Sequence, residues 1–198
     1  MTHFFRYDDL TWLDIDALPR DTPLVLPLGD GYNMDRLASA LGNPDRAGML
    51  PSFPFGWRGS GLTVDEKLLA AIIRNLLDSL RDDGFTRVYA LTPQQMDLGL
   101  DSAAIRLAHA AHHAPKIDLP LDQDRDKVIF FPIGHTEQHG FHLSMSVDTI
   151  SIEAVCQGAA DAIPDKAFCM PVMPYGVSTH RASFAGTLNA GGRAFEDF

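Results

Sequence analysis

Residues 63–91 read TVDEKLLAAIIRNLLDSLRDDGFTRVYAL, a helix followed at once by a strand, and this pair decides the fold class. Apolar residues recur at Leu68, Leu69, Ile72, Ile73, Leu76, Leu77 and Leu80, the spacing of one buried helical face. Arg74, Asp78, Arg81 and Asp82 fall on the opposite face. Thr63 and Glu66 stand three apart and predict a capping box, and Gly84 predicts the stop. The β-rich run 85–91 then predicts a strand closed by Thr92-Pro93.

The same alternation extends outward. Apolar runs at 23–29 and 48–51 predict short strands, the first buried, and 101–113 predicts a second helix. The Pro- and Asp-rich stretch 116–127 reads as a linker. Beyond it, 128–134 predicts a buried strand, 149–162 a helix and 168–176 a strand and loop. Strands alternating with helices predict an α/β fold with a mostly parallel sheet covered by helices.

Composition narrows the function. The chain has 198 residues, 45% hydrophobic and 21% charged, enough for one large domain or two small ones. Lys and Arg number 16 against 26 Asp and Glu, giving a net charge of −10. No basic face of any size is available, which argues against nucleic acid and anionic membrane partners. No stretch approaches 18 apolar residues, and the N-terminus shows no basic-then-apolar leader. Two cysteines, Cys156 and Cys169, are too few for a disulfide scaffold and read as reduced core thiols of a cytoplasmic protein.

Two landmarks occur twice in the same order. Leu26-Pro27-Leu28-Gly29 pairs with Phe131-Pro132-Ile133-Gly134, and Pro51 to Gly56 (PSFPFG) pairs with Pro171 to Gly176 (PVMPYG). Their prolines are 24 apart in the first copy (51 − 27) and 39 in the second (171 − 132). An internal repeat is expected, with the first copy shortened where the second is most polar. This divides the chain into a unit at 1–115, the linker 116–127 and a unit at 128–198.

That polar stretch is Gly134-His135-Thr136-Glu137-Gln138-His139-Gly140-Phe141-His142-Leu143, with Asp148 following. Imidazoles and carboxylates so close together offer the ligands that Zn²⁺ or Mn²⁺ takes. Glu137 and His139 are two apart and share one side of an extended chain, and Asp148 returns from the next helix. Such residues in a polar loop also occur simply as a solvated surface. The cysteines are not in C-x-x-C spacing, which argues against a thiolate site.

The stretch 131–143 resembles the signature of the creatininase family of metal-dependent amidohydrolases, a strand ending in PxG followed by S-T-E-Q-H-G-P-H-L. Tyr175-Gly176-Val177-Ser178-Thr179-His180, then Phe184-Ala185-Gly186-Thr187-Leu188, resembles the family's Y-G-x-S…H…F-P-G-T segment. The resemblance covers about residues 128–190 and implies a layered creatininase-like α/β fold. It makes Glu137, His139 and Asp148 ligands of one or two Zn or Mn ions, with Asp148 bridging. His180 and His142 would line the pocket and assist proton transfer. The implied reaction is hydrolysis of a C–N bond in a small cyclic or linear amide by metal-activated water, in a homo-oligomer.

Phe141 and Ala185 stand where those two segments carry proline. The family also continues into a helix and a strand ending in N-G-H, which completes a two-metal site; the chain ends at Phe198 before that point, so the second copy is expected to be incomplete. The nearest counterpart, 63–91, is followed by Thr92-Pro93-Gln94, and the first copy reads Asp30-Gly31-Tyr32-Asn33-Met34 where E-Q-H would fall. The first copy thus resembles a degenerate, ligand-free unit. A non-catalytic scaffold or binding subunit with a partial metal site, or a shortened form of a longer enzyme, is the alternative reading.

Other features carry blander expectations. His109 and His113 are i,i+4 on the predicted 101–113 helix, and a solvated helix end suits them better than a metal. Trp12 and Trp57 are expected to pack against the sheet, with Trp57 also placed to line a cleft. Gly56 to Gly61 lacks the Lys-Ser/Thr of a phosphate loop, and Ser178 lacks the G-x-S-x-G elbow.

Overall fold

The computed structural model describes residues 1–109 and 126–198. Five strands form one sheet: β1 (His3–Arg6), β2 (Leu24–Pro27), β3 (Arg46–Met49), β4 (Val88–Pro93) and β5 (Ala104–Leu107). Their order is β1-β3-β2-β4-β5, and every pairing is parallel. Parallel neighbours need crossovers. α1 (Trp12–Asp16), α2 (Met34–Ala40) and α3 (Glu66–Asp82) supply the first three. This is the α/β fold with a covered parallel sheet that the alternation implies.

β2 is buried at every residue because both faces are covered. Leu24, Leu26 and Leu28 point to the side of α3, whose Leu69, Ile72, Ile73, Leu76, Leu77 and Leu80 are buried against them. Val25 points the other way, joining Ala47, Leu91, the α2 residue Leu37 and Leu41 just past the end of α2. Burial of a large aliphatic side chain contributes about 1.5–3 kcal/mol, so the apolar face of α3 is a main source of stability.

Three local expectations change. The helix begins at Glu66 with Asp65 as its cap, its carboxylate accepting the Lys67 amide at 2.7 Å. Thr63 instead bridges to Gly56, and the Val64 amide bonds to the Gly56 carbonyl, so the chain is still extended where a capping box would have to turn. The expected helix at 101–113 is a 3₁₀ turn, Asp101–Ala103, followed by β5; Asp101 has φ 49°, which breaks the helix, and the free edge of β4 pairs with the next residues. His113 and the bulk of the 116–127 linker lie outside the described residues. His109 packs at a tilt against Tyr32, with ring centroids 4.2 Å apart, and against Trp57 at 5.4 Å, instead of ending a helix.

A second, two-stranded parallel sheet pairs β6 (Val128–Phe130) with β7 (Ala167–Cys169), joined through α4 (Val147–Ala162). The expected buried strand 128–134 is therefore shorter and more exposed, with Val128 57% and Ile129 53% accessible. The reason is topological: β2 lies between β3 and β4, whereas β6 has β7 on one edge and no other described strand. The cysteines are free and half-buried on this sheet and α4, not core thiols.

The two segments repeat each other's hydrogen bonds. The Leu50 amide bonds to the Val25 carbonyl, Phe53 to Pro27, and Gly29 to Phe53; the matching bonds are Met170 to Phe130, Met173 to Pro132, and Gly134 to Met173. Leu24 pairs with Gly48 as Ile129 pairs with Phe168. Val64 bonds to Gly56 as Ala190 bonds to Gly176, which sets α5 (Gly192–Asp197) at the position of the start of α3. The two units differ between these landmarks. Residues 30–33 join Gly29 to α2, whereas 135–146 join Gly134 to α4, and α4 has 16 residues against 7 in α2.

The segments share one core. Phe53 stacks on Tyr175 at 5.8 Å and meets Phe198 edge-on at 5.6 Å. Tyr175 donates its hydroxyl to the Pro51 carbonyl, Tyr7 to Gly186 at 2.9 Å, and Asn75 its amide to Ala190 at 2.8 Å. Trp57 is buried beneath β2 rather than in a cleft, and Trp12 packs on Phe141 and Phe184 in the loops of the second segment rather than on the sheet. No helix among the described residues is long and apolar enough to cross a membrane.

Leu76 sits fully buried at the centre of α3. Leu76→Ala is expected to cost about 2–5 kcal/mol in unfolding free energy, read from the urea midpoint, because the rigid sheet beneath it leaves a cavity.

Candidate metal centre

The polar loop leaves β6 after Gly134 and is pinned on both sides. The Gly134 amide bonds to Met173, Thr136 donates its hydroxyl to Pro174 at 2.9 Å, and Leu188 donates to the Thr136 carbonyl at 3.0 Å. The Glu137 amide bonds to Met145 at 3.3 Å, and the Gln138 amide to the Thr187 hydroxyl at 3.3 Å. Thr136, Glu137 and Gln138 are all buried. Two glycines make room for this packing. A Cβ on Gly134 would lie 2.5 Å from the Thr149 Cα, and one on Gly176 would lie 2.8 Å from the His135 ring. Gly134 thereby lets the first turn of α4 approach, and Thr149 donates its hydroxyl to the His135 carbonyl at 3.1 Å.

This packing brings Glu137, His139 and Asp148 together, with one ligand atom from each lying within 4.8 Å of the others. His139 Nε2 is 3.1 Å from Asp148 Oδ1 and 3.9 Å from Glu137 Oε1. Its Nδ1 lies 2.9 Å from the Glu137 carbonyl, so the ring is oriented from behind with Nε2 facing the carboxylates. Asp148 sits in the first turn of α4, where the helix dipole favours its negative charge. Ser178 donates its hydroxyl to Glu137 Oε2.

His180 Nε2 reaches 3.9 Å from Glu137 Oε1, with a side chain 67% exposed. His142 lies in the turn after Gly140 with an exposed side chain, and no hydrogen bond or ion pair joins it to the three clustered residues among the described contacts. One neighbour was not singled out from the sequence: His135, whose Nδ1 is 3.7 Å from Glu137 Oε2. It is buried, with no side-chain hydrogen-bond partner at either ring nitrogen. Burial pushes the His135 pKa down, opposed by the carboxylates of Glu137 and Asp148 and by the backbone of Gly176 and Thr136. The only sequence signal for it is its place in the signature, where the quoted family pattern has serine.

The donor set suits a divalent cation. Glu137 is almost fully buried, and within 4 Å its charged partners among the described residues are the imidazoles of His135, His139 and His180. A carboxylate removed from water is stabilised by a compensating positive charge, which a cation held by these side chains would supply. Asp148 is 41% exposed and opens the cluster toward a cleft of about 550 Å³ lined by Gly134, His135, Ser151, Ile152 and Val177. A larger cavity, about 570 Å³, lies at the corresponding strand ends of the first unit. It is bordered by Asp8, Asp30, Tyr32 and Ser52 and contains no imidazole, so its size does not make it the metal site.

The clustered residues lie within the segment of the chain that matches known proteins. The family model for creatininase (creatinine amidohydrolase) matches residues 114–198. This region is similar to the creatininase family. Creatinine amidohydrolase of Pseudomonas putida is 39% identical over 61 residues, 31% of this chain and 23% of that protein. The mycofactocin precursor peptide peptidase of Mycobacterium ulcerans (strain Agy99) is 36% identical over 73 residues, 33% of this chain and 29% of that protein. The chain therefore spans less than a third of the length of either relative. No solved structure matches the chain.

Gly134→Ala is expected to weaken divalent-metal binding at least tenfold in calorimetric titration, because its Cβ would meet backbone rather than a movable side-chain end and would displace the turn carrying Asp148.

Proposed function

We propose that this protein is a metal-dependent amidohydrolase that cleaves a C–N bond in a small cyclic or linear amide. The observation that carries the reading is the convergence of Glu137, His139 and Asp148, the last lining a cleft, within the segment that matches the creatininase family. Zn²⁺ or Mn²⁺, one ion or two, held by these residues would supply Lewis acidity and lower the pKa of water for attack on an amide carbonyl.

The chain's own residues supply the rest. Glu137 and Asp148 contribute negative charge that holds a cation, and Ser178 fixes the Glu137 carboxylate through its hydroxyl. His180, exposed and 3.9 Å from that carboxylate, would accept a proton at Nε2 and return it to the departing amine. His142, exposed on the neighbouring turn, would act in the same way only after the turn closes over a substrate. The cleft walls of Ile152, Val155 and Val177 suit a compact substrate with some apolar surface. A cytoplasmic location and a homo-oligomeric assembly belong to the same reading.

Three clustered protein ligands leave an open position, which suits catalysis but also suits a residual metal site on a binding scaffold. Metal analysis and turnover separate these readings. The purified chain is expected to retain about one equivalent of Zn²⁺ or Mn²⁺ or more after dialysis, to hydrolyse members of a panel of small amides, and to lose both properties in Glu137→Gln and His139→Ala. Hydrolysis that survives both substitutions contradicts the proposal, and tight metal without turnover favours the scaffold.

A further inference from the structure

One stripe of α3 is polar and yet not exposed. Asn75, Ser79 and Asp83, the last just past the helix end, stand four apart and fall on one line beside the buried apolar face. All three are half-buried, and each bonds to the backbone of the second segment. Asn75 donates its amide to the Ala190 carbonyl at 2.8 Å, Ser79 accepts the Asn189 amide at 3.1 Å, and Asp83 accepts the Gly186 amide at 2.6 Å. Tyr7 completes the last contact by donating its hydroxyl to the Gly186 carbonyl at 2.9 Å.

The strap 186–190 is fitted to these groups. Gly186 at its start and Gly191 just past its end have φ 90° and 80°, in the left-handed region. A Cβ on Gly186 would lie 2.6 Å from the Tyr7 hydroxyl, and one on Gly191 would collide with the Asn75 amide. Asp83, for its part, stands against its local electrostatics. It caps the C-terminus of α3, where the helix dipole disfavours negative charge, and Asp82 is its neighbour. Burial pushes its pKa up, and the Gly186 amide and Arg20 oppose that shift. Helix stability alone would not place a carboxylate there; the bond to the strap does.

The strap leads directly to the metal loop. Its Leu188 amide bonds to the Thr136 carbonyl at 3.0 Å, and its Thr187 hydroxyl accepts the Gln138 amide at 3.3 Å. These two bonds straddle Glu137. Because Asp148 comes instead from α4, the distance between the two carboxylates depends on where the strap holds the loop.

Resting on the metal-binding reading above, we infer that Asn75, Ser79 and Asp83 are positioning residues for the metal centre, setting the place of Glu137 through the strap 186–190. The first unit thereby has a task in the site, although none of the three clustered ligands comes from it.

The test titrates Zn²⁺ into the metal-stripped full chain by calorimetry and records the visible absorption of Co²⁺ bound in its place, which reports ligand geometry. Asp83→Ala is expected to weaken Zn²⁺ binding about tenfold and to shift the Co²⁺ bands. Asp83→Asn keeps an oxygen that can accept the Gly186 amide and is expected to stay within about threefold of wild type. Leu76→Ala loosens the same helix without removing a bond to the strap, and is expected to change affinity less than about twofold with the Co²⁺ bands unmoved. Ser79→Ala deletes one hydroxyl and is expected to weaken binding about threefold, which keeps the test decisive if Asp83→Ala does not fold. Wild-type affinity and Co²⁺ bands in folded Asp83→Ala and Ser79→Ala, with binding lost in His139→Ala, overturn the inference and leave the metal-binding reading in place. Equal losses in Asp83→Ala and Leu76→Ala also overturn it, because general loosening then explains them. Wild-type protein that binds no Zn²⁺ overturns both.

Discussion

A parallel pairing of strand ends, made twice, positions everything else in this molecule. In each unit a Pro-x-Gly segment at the end of a strand is tied to the chain leaving the neighbouring parallel strand: the amides of Gly29 and Gly134 bond to the carbonyls of Phe53 and Met173, and the amides of Phe53 and Met173 bond back to Pro27 and Pro132. The reciprocal bonds hold both chains extended to their last residue and release the following loop at the C-terminal end of a parallel sheet. Open α/β sheets place ligands at that end. In the first unit the loop is four residues, 30–33, and turns straight into α2. In the second it is twelve, 135–146, long enough to fold an acidic and imidazole-rich surface inward before α4 begins.

Close approach then converts this loop into a site. Gly134 and Gly176 lack the atoms that would hold α4 and the His135 ring away, and buried hydrogen bonds from Thr136 and Gln138 keep the loop from relaxing outward. Local rigidity of this kind is what a metal centre requires, since ligand atoms must already lie near one another before the ion arrives. The same unit is open elsewhere. β6 exposes Val128 and Ile129 where β2 is covered on both sides, so the second segment relies on the first for its core through Phe53, Tyr175 and Phe198.

Much of this was legible in the residues because strong periodicity and turn chemistry agreed. The α3 face from Leu69 to Leu80, the Pro-x-Gly strand ends and the Glu137, His139 and Asp148 trio all carried a physical signal that local sequence retains. What escaped depended on long-range partners. The segment after Asp101 reads as helix, yet the free edge of β4 takes it as a strand, a choice that no short window contains. β1, α1 and α2 span only 4, 5 and 7 residues, too short for periodicity to register. His135 gave no spacing signal, because its approach to Glu137 depends on how the loop folds, and the placement of His142 outside the cluster arises from a turn that spacing alone does not fix.

The central claim is that Glu137, His139 and Asp148 are metal ligands already gathered by the fold. Anomalous diffraction from crystals of the protein grown with Zn²⁺, recorded on both sides of the zinc edge, tests it most directly. The account predicts a peak about 2.0–2.2 Å from a carboxylate oxygen of Glu137, from His139 Nε2 and from an oxygen of Asp148. A map with no peak among these three side chains, or with the ion bound elsewhere while they stand apart, would contradict it.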